Sequence, residues 1–570
     1  MDRRVILAVL LMMAIAMLPA VLFKRTPVAN RPGTTVETGT APAAAPPPAT
    51  LAPAPAPSLD TVLAQVPERV VRVTGPLFAY GISTRGARLV EAKLVQYKSM
   101  APGDGDGQAD IVAPNSDLLG LALLAGRDTL SLRDWDFTPS AESVDLAGGS
   151  GTLSMQAVRG EVSVTVTYRF TPDNYLLGVD GQVTGLGPNG GTLLIGMGPT
   201  IRNTEADSVG HQRELALVTK GIKDSEKKGV GGLTRGVPTD FAGPFEWVAI
   251  KSKYFVVALF AVDSTASGSA GRLTALRAVP TDTRKRPAEA DIRASLPLPA
   301  SGQFSFSLYA GPLEYPRLKA MGHDFYDVNP YGWPGFRTII RPVAVGGRWL
   351  LVKMHSLGIA YGLGLVLFGI LVRLALWPLN QKGMRSAMAM QAVQPLMKDI
   401  QERYKNDPQR LQQEMFKLYK EHKVNPFGGC WPMLIPMPIL FALFFVFQNT
   451  IELRGASFLW IDDLSRADPL YIIPVLMGLS MYAVSKIGQM GMEPTPQKKT
   501  MPYMMPVMMT VMFINFASGL NLYYAVQNIA SIPQQWLIAK ERQKAAVRMK
   551  PVEVGREEPK AIEGGRTKSK

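Results

Sequence analysis

The chain has 570 residues, 47% of them hydrophobic and 19% charged, which is too long for one domain and points to a membrane protein carrying a soluble part. In such a protein the formal net charge of +15 belongs to basic loops on the cytoplasmic side rather than to a DNA-binding surface. The single cysteine, Cys430, excludes a disulfide within the chain, so the soluble part must be stable from its own core.

Residues 1–25 read as an N-terminal transmembrane anchor, because Asp2, Arg3 and Arg4 precede a long apolar run that Lys24 and Arg25 close. Residues 26–58 are rich in Pro and Ala and predict a disordered tether. From 59 to 320 the hydrophobic period is two, clearest in EVSVTVTYRF, where Val162, Val164, Val166, Tyr168 and Phe170 share one face. Similar runs at 246–262 and 303–312, separated by Gly, Pro and Asp clusters, predict a large all-β antiparallel sandwich. His211 and His323 are isolated there, and no HExxH, Walker or GxSxG pattern occurs. An interaction surface is expected of this domain, with no catalysis, metal or cofactor.

Residues 321–356 form an expected interfacial connector, mixing Trp333, Phe336, Ile339, Ile340 and Trp349 with Arg337, Arg341, Arg348 and Lys353. Pro342 and the Gly346–Gly347 pair predict breaks in any helix there. Residues 357–379 are apolar for the length of a bilayer crossing and are interrupted by Arg373. A central Arg in such a helix costs roughly 2.5–3.5 kcal/mol, so the helix is expected to face water inside the membrane. The blander alternative is an arginine that snorkels past Trp377 to the headgroups.

Residues 380–425 predict a helical hairpin: Val393, Leu396, Met397, Ile400 and Tyr404 recur at helical spacing, then Leu411, Met415, Leu418 and Tyr419, with Asp407 as N-cap and Pro408 in the first turn. Further spans are expected at 431–449 and 469–488. The apolar stretch 501–539 is about 58 Å long as one helix against a hydrocarbon core of about 30 Å, so a break at 517–519 is expected to give a tight hairpin of spans 501–516 and 519–539. Loop charges alternate in sign along this plan: 380–429 has nine basic and five acidic residues, 450–468 two and four, 486–500 three and one, and the tail from 540 ten and five. The expected architecture is therefore a membrane bundle of six transmembrane helices with both termini cytoplasmic. Residues 357–540 form its five-helix core, 541–570 a basic cytoplasmic tail, and the β domain lies in the periplasm.

Polar residues recur in the predicted spans: Gln448, Asn515, Asn521, Gln527 and Asn528, together with Arg373, are expected to line one hydrated cavity. None of the spans carries a central Asp or Glu, which speaks against a proton relay or cation-coupled carrier. Methionine is concentrated too, with 18 of 27 between residues 354 and 512, and flexible thioethers suit varied apolar partners as well as plain gap filling. A small-molecule transporter with an accessory binding domain is the alternative function, and a membrane-anchored sugar-modifying enzyme with paired carboxylates in the β domain is a further one.

The segments VRLALWPLNQK (372–382), KVNPFGGCWPMLIPMPILFALF (423–444), ELRGASFLWIDDLS (452–465), YIIPVLMG (471–478) and FASGLNLYYAVQNIASIPQQWLI (516–538) closely resemble the YidC/Oxa/Alb family of membrane protein insertases. The resemblance covers about residues 350–540, and the anchor and β domain match the Gram-negative layout, whose periplasmic domain is a super-sandwich. It implies an inner-membrane insertase and chaperone that works alone or with the Sec translocon. It further implies nascent membrane proteins, the lipid bilayer and, through basic cytoplasmic elements, the ribosome as partners. By resemblance Arg373 is the groove arginine, Tyr524 lies along the client path, and the hairpin, with Met388, Met397 and Met415, receives clients. Many members carry a hydroxyl residue one turn before the arginine. Here that position is Gly369.

Overall fold

The alternation at 162–170 produces the strand Val162–Phe170, with Val164, Val166, Tyr168 and Phe170 buried. It pairs antiparallel with Gly151–Arg159 on one side and Leu176–Thr184 on the other. These strands belong to a nine-stranded sheet, accompanied by sheets of six and five strands. The 246–262 run folds as the antiparallel pair Trp247–Lys251 and Phe255–Ala261, and Phe255–Ala261 lies beside the strand Gln303–Pro312. One hydrophobic cluster running from Val71 to Val328 joins all three sheets. The sheets are antiparallel except where Val70–Thr74 pairs parallel with Ser143–Asp145. The β domain is thus as expected, with its core continuing past residue 320 to Phe325 and Val328.

A computed structural model describes residues 67–548 apart from 106, 127, 186, 223, 263–271, 333–334, 423, 425–436 and 491–495. The expected anchor and tether, Trp333, Cys430, the start of the 431–449 span and the tail beyond 548 lie outside the described residues, as do the side chains of Met388 and Gln448. Two short helices belong to the β domain, α1 (Ser208–Glu214) and α2 (Tyr315–Ala320). The helical region comprises α3 (Arg337–Ser356), α4 (Tyr361–Ala392), α5 (Gln394–Arg403), α6 (Pro408–Glu421), α7 (Met437–Asn449), α8 (Ile472–Gly488), α9 (Pro496–Phe513) and α10 (Ser518–Arg548).

The helix breaks expected at Pro342 and the glycine pair do not occur. α3 is one 20-residue helix through Pro342 and the glycine pair, because Ile340, Ala344, Gly347 and Leu351 form a single buried stripe packed on α7 and α4. That burial outweighs the roughly 1 kcal/mol each glycine costs. Likewise α4 continues through Pro378 to Ala392, so the polar segment expected to start the hairpin extends the Arg373 helix instead. The hairpin helices themselves follow the sequence. Asp407 caps α6 by accepting from Arg410 N at 3.1 Å, and Val393, Leu418 and Val424 are buried between the two helices.

The chain breaks at 514–517, slightly before the expected site. The two helices it separates are not a tight hairpin: α9 packs mainly on α8, while α10 packs on α8 and α4. Gly478 and Thr510 explain the first contact, since a Cβ on Gly478 would lie 2.1 Å from Thr510 Oγ1. A residue with a Cβ at 478 could not pack so closely against Thr510. Among the described residues, Tyr361–Ser386 is the one stretch long and apolar enough to cross a membrane, and α7, α8 and α9 contain shorter apolar stretches.

The β domain meets the helical region at the α7–α8 loop. Ile451 is buried in the β-domain core, Lys253 Nζ donates to Ser465 O at 3.2 Å, and Arg454 reaches Glu205. Burial opposes the charge on Lys253, but Tyr254, Glu205 and Asp463 outweigh it and hold its pKa above the ordinary lysine value. Farther along the boundary, Arg348 pairs with Glu452 and Arg341 with Asp327.

Candidate functional site

α4 places Gly369 and Arg373 one turn apart on the face that meets α10. A Cβ on Gly369 would lie 3.0 Å from Val526 Cγ1, so the glycine lets the two helices approach and leaves its carbonyl accessible. Gln527 Nε2 donates to Gly369 O at 2.7 Å. One turn further, Arg373 Nη2 donates to Gln534 Oε1 at 2.8 Å, and Gln534 Nε2 donates to Trp377 O at 2.9 Å. Two glutamines spaced seven apart, two turns of α10, thus reach across to the arginine helix. Arg373 is half-buried, and its Nε meets no acceptor among the described residues. A guanidinium has five N–H donors, of which Gln534 holds one, and this fixed orientation is suited to an incoming carboxylate or to water at the remaining outer donors.

Aromatic residues close this face. Tyr523 packs against Phe368, with ring centroids 6.0 Å apart, and Tyr524 packs edge-on against Phe513 and Tyr523. Leu367, Ile370, Leu371 and Leu374 of α4 and Ile529, Trp536 and Leu537 of α10 are exposed apolar surface, most of it turned away from the α4–α10 contact. The arrangement is a charged, hydrogen-bonding strip between two helices whose outer faces are apolar.

The other expected cavity residues are elsewhere. Asn528 turns toward α8, where its Nδ2 donates to Ser480 Oγ at 3.2 Å. Asn521 is buried and donates to Phe513 O at 3.0 Å, tying down the end of α9. Asn515 is exposed in the turn between α9 and α10. Arg373, Gly369 and Gln527 come together, whereas Asn515, Asn521 and Asn528 do not join them. Gln534 was missed, although its spacing from Gln527 puts it on the same helical face. In the hairpin, Met397 is packed inward, its Sδ 3.9 Å from the Tyr419 hydroxyl, and Met415 is half-buried.

The β domain offers a second concavity, of about 730 Å³, with Asp173, Asn174, Phe260, Ser307, Glu314 and Arg317 in its lining. Its carboxylates are not free as a pair. Glu314 accepts from Arg317 Nε at 3.0 Å and from the Tyr97 hydroxyl, while Asp173 is exposed.

Comparison with known proteins accounts for both halves of the chain. The family described as 60Kd inner membrane protein matches residues 353–545, and the YidC periplasmic domain matches 70–344. The membrane protein insertase YidC of Chlorobium luteolum is 32% identical over 508 residues, covering 83% of this chain and 82% of its own length. That of Syntrophus aciditrophicus is 29% identical over 563 residues, covering 95% of this chain and all of its own length. A solved structure of an active YidC insertase with its first transmembrane domain resolved aligns over 83% of this chain and 95% of its own, at 20% identity and a TM-score of 0.33. The matches define an inner-membrane protein with a β-rich periplasmic domain and a helical C-terminal region. The chain belongs to the YidC family of membrane protein insertases.

Proposed function

We propose that this chain inserts the transmembrane helices of nascent membrane proteins through the strip between α4 and α10, acting as insertase and chaperone, alone or beside the Sec translocon. The observation that carries the reading is Arg373, half-buried and oriented by Gln534 on a helix of membrane-crossing length. A client's polar, often acidic, flank enters against this guanidinium while its apolar helix passes into lipid. Burial of large apolar side chains at roughly 1.5–3 kcal/mol each drives the transfer, so nucleotide hydrolysis has no part in it. The membrane potential assists an acidic flank.

The six-span topology, with 380–425 and the tail cytoplasmic, is part of the proposal. It is supported by the alternating loop charges and by the contact of the acidic 450–468 loop with the β domain. The 380–425 segment, with α5 and α6, is the surface we assign to clients, and the basic cytoplasmic loops and tail are assigned to the ribosome.

The test is protease protection of a single-spanning client added to liposomes containing only this protein, without nucleotide. Protection above empty liposomes is expected. In the same assay Arg373→Ala is expected to slow a client with an acidic translocated flank more than one with a neutral flank. Equal slowing of the two clients refutes the charge mechanism, and solute-specific uptake without insertion returns the transporter reading.

A further inference from the structure

The α7–α8 loop lies between the β domain and the first turn of α10. We propose that Arg454 in this loop is a positioning residue, through which the β domain fixes α10 and with it the two glutamines that bond α4, one of them to Arg373. The proposal rests on the reading of the α4–α10 strip as the client path.

Arg454 is held on every side. Its Nε lies 2.9 Å from both carboxylate oxygens of Glu205, Nη1 donates to Lys98 O at 2.8 Å, and Nη2 donates to Thr204 O at 2.9 Å. The guanidinium sits 5.5 Å from the Phe255 ring centroid and 6.0 Å from that of Tyr254. The Arg454 side chain is 4% exposed and that of Glu205 10%. A planar fork with carboxylate and carbonyl acceptors at fixed angles demands one geometry, which a lysine ammonium does not reproduce.

The loop transmits that geometry. Leu453, Ile461 and Leu464 are buried in the helical core, while neighbouring Ile451 is buried in the β-domain core. Leu464 N donates to Ala456 O at 2.9 Å, closing the loop on itself. Two of its carbonyls then satisfy the start of α10: Ser518 N donates to Arg466 O at 2.6 Å and Gly519 N to Leu464 O at 2.9 Å. The first N–H groups of a helix have no partner within it, so this loop supplies what the helix cannot. There is no slack at the contact. A Cβ on Gly519 would lie 2.9 Å from Phe447 and 3.1 Å from Leu464 O. α10 runs as one helix from there through Gln527, with Pro533 just before Gln534, so a shift of its first turn tilts Gln527 directly and Gln534 through the turn at Pro533.

The experiment uses the full chain in liposomes, with Arg454→Ala, Glu205→Ala, the double variant and Arg454→Lys. Hydrogen exchange is followed at the Ser518 and Gly519 amides, and insertion by protease protection. Exchange at these two amides is expected to rise about tenfold or more in each single variant, as loss of a buried charge-assisted bond loosens the loop. Insertion is expected to slow severalfold in parallel. The double variant should be no worse than Arg454→Ala, the signature of a coupled pair, and Arg454→Lys should follow the alanine variant. Unchanged protection of both amides in Arg454→Ala overturns the proposal, because a role confined to domain docking predicts that result. So does faster exchange with unchanged insertion. If Arg454→Ala does not fold, Glu205→Gln is read on the same two measurements. Failure of the unmodified chain to insert clients strikes the groove reading, while the exchange data still report whether Arg454 positions α10.

Discussion

Replacing Gln534 with leucine isolates the orientation of Arg373 from its charge. The leucine has similar volume and sits where the glutamine is 1% exposed, so the α4–α10 packing is retained. What is lost is one charge-assisted bond, from Arg373 at 2.8 Å, and one neutral bond, to Trp377 O at 2.9 Å. The first is worth about 1.5–3 kcal/mol and the second about 1 kcal/mol. The Trp377 carbonyl lies within helix α4, so its loss of a second donor adds little. Taking the charge-assisted term alone, the population of correctly oriented guanidinium falls roughly tenfold to 150-fold relative to its alternatives. The assay is the rate of protease protection for two clients differing only in the charge of the translocated flank. Gln534→Leu should slow the acidic client by about tenfold, approaching Arg373→Ala, and leave the neutral client within about twofold. An acidic client that runs at the normal rate in Gln534→Leu, yet is slow in Arg373→Ala, would show that Gln534 does not orient the arginine.

Two further outcomes are expected. Gly369→Leu should push α4 and α10 apart, since even a Cβ meets Val526 at 3.0 Å, breaking the Gln527 bond and lowering both melting temperature and insertion. Gly369→Ala should be much milder, and equal effects of the two substitutions would refute the steric account. Lys251, buried in the β domain and donating to Asn329 Oδ1 at 2.9 Å, has its pKa pushed down to about 7, chiefly by burial and also by Lys227, with Glu214 opposing. Above about pH 7 the unfolded chain holds a proton that the folded one does not. Stability from this group therefore rises between about pH 7 and 10.5, by at most about 1.4 kcal/mol per pH unit, and its penalty is full below pH 7. The difference in urea-unfolding free energy between Lys251→Met and the unmodified chain should shrink as pH rises through this window. A constant difference would count against a depressed lysine.

The β domain was legible because a period of two over nine residues, as at Val162–Phe170, has one physical meaning when one face must be buried. Asp407–Pro408 marked the start of α6 for a similarly local reason, a side-chain acceptor for a helix N–H. The glycine pair in α3 misled, since its cost is local but the stripe that overrides it is made by contact with α7 and α4. Arg373 announced itself as a charge in an apolar run. The selection of Gln527 over Asn528 depended on which side of α10 meets α4, and adjacent residues on one helix diverge by about 100°. Sequence could not rank them until the neighbours of α10 were in place.

The burial of Ile451 in the β-domain core has a consequence for the order of synthesis. The last contiguous residue of that core is Val328, so a chain made from its N-terminus completes the sandwich, but for one side chain, well before residue 451 leaves the ribosome. Until then the Glu205 carboxylate has no Arg454, and the surface awaiting Ile451 is open to solvent. The final seating of the sandwich thus occurs only after α3, α4 and α7 have been translated. Docking of the two halves reports that the 450–468 loop has been made and has reached the sandwich.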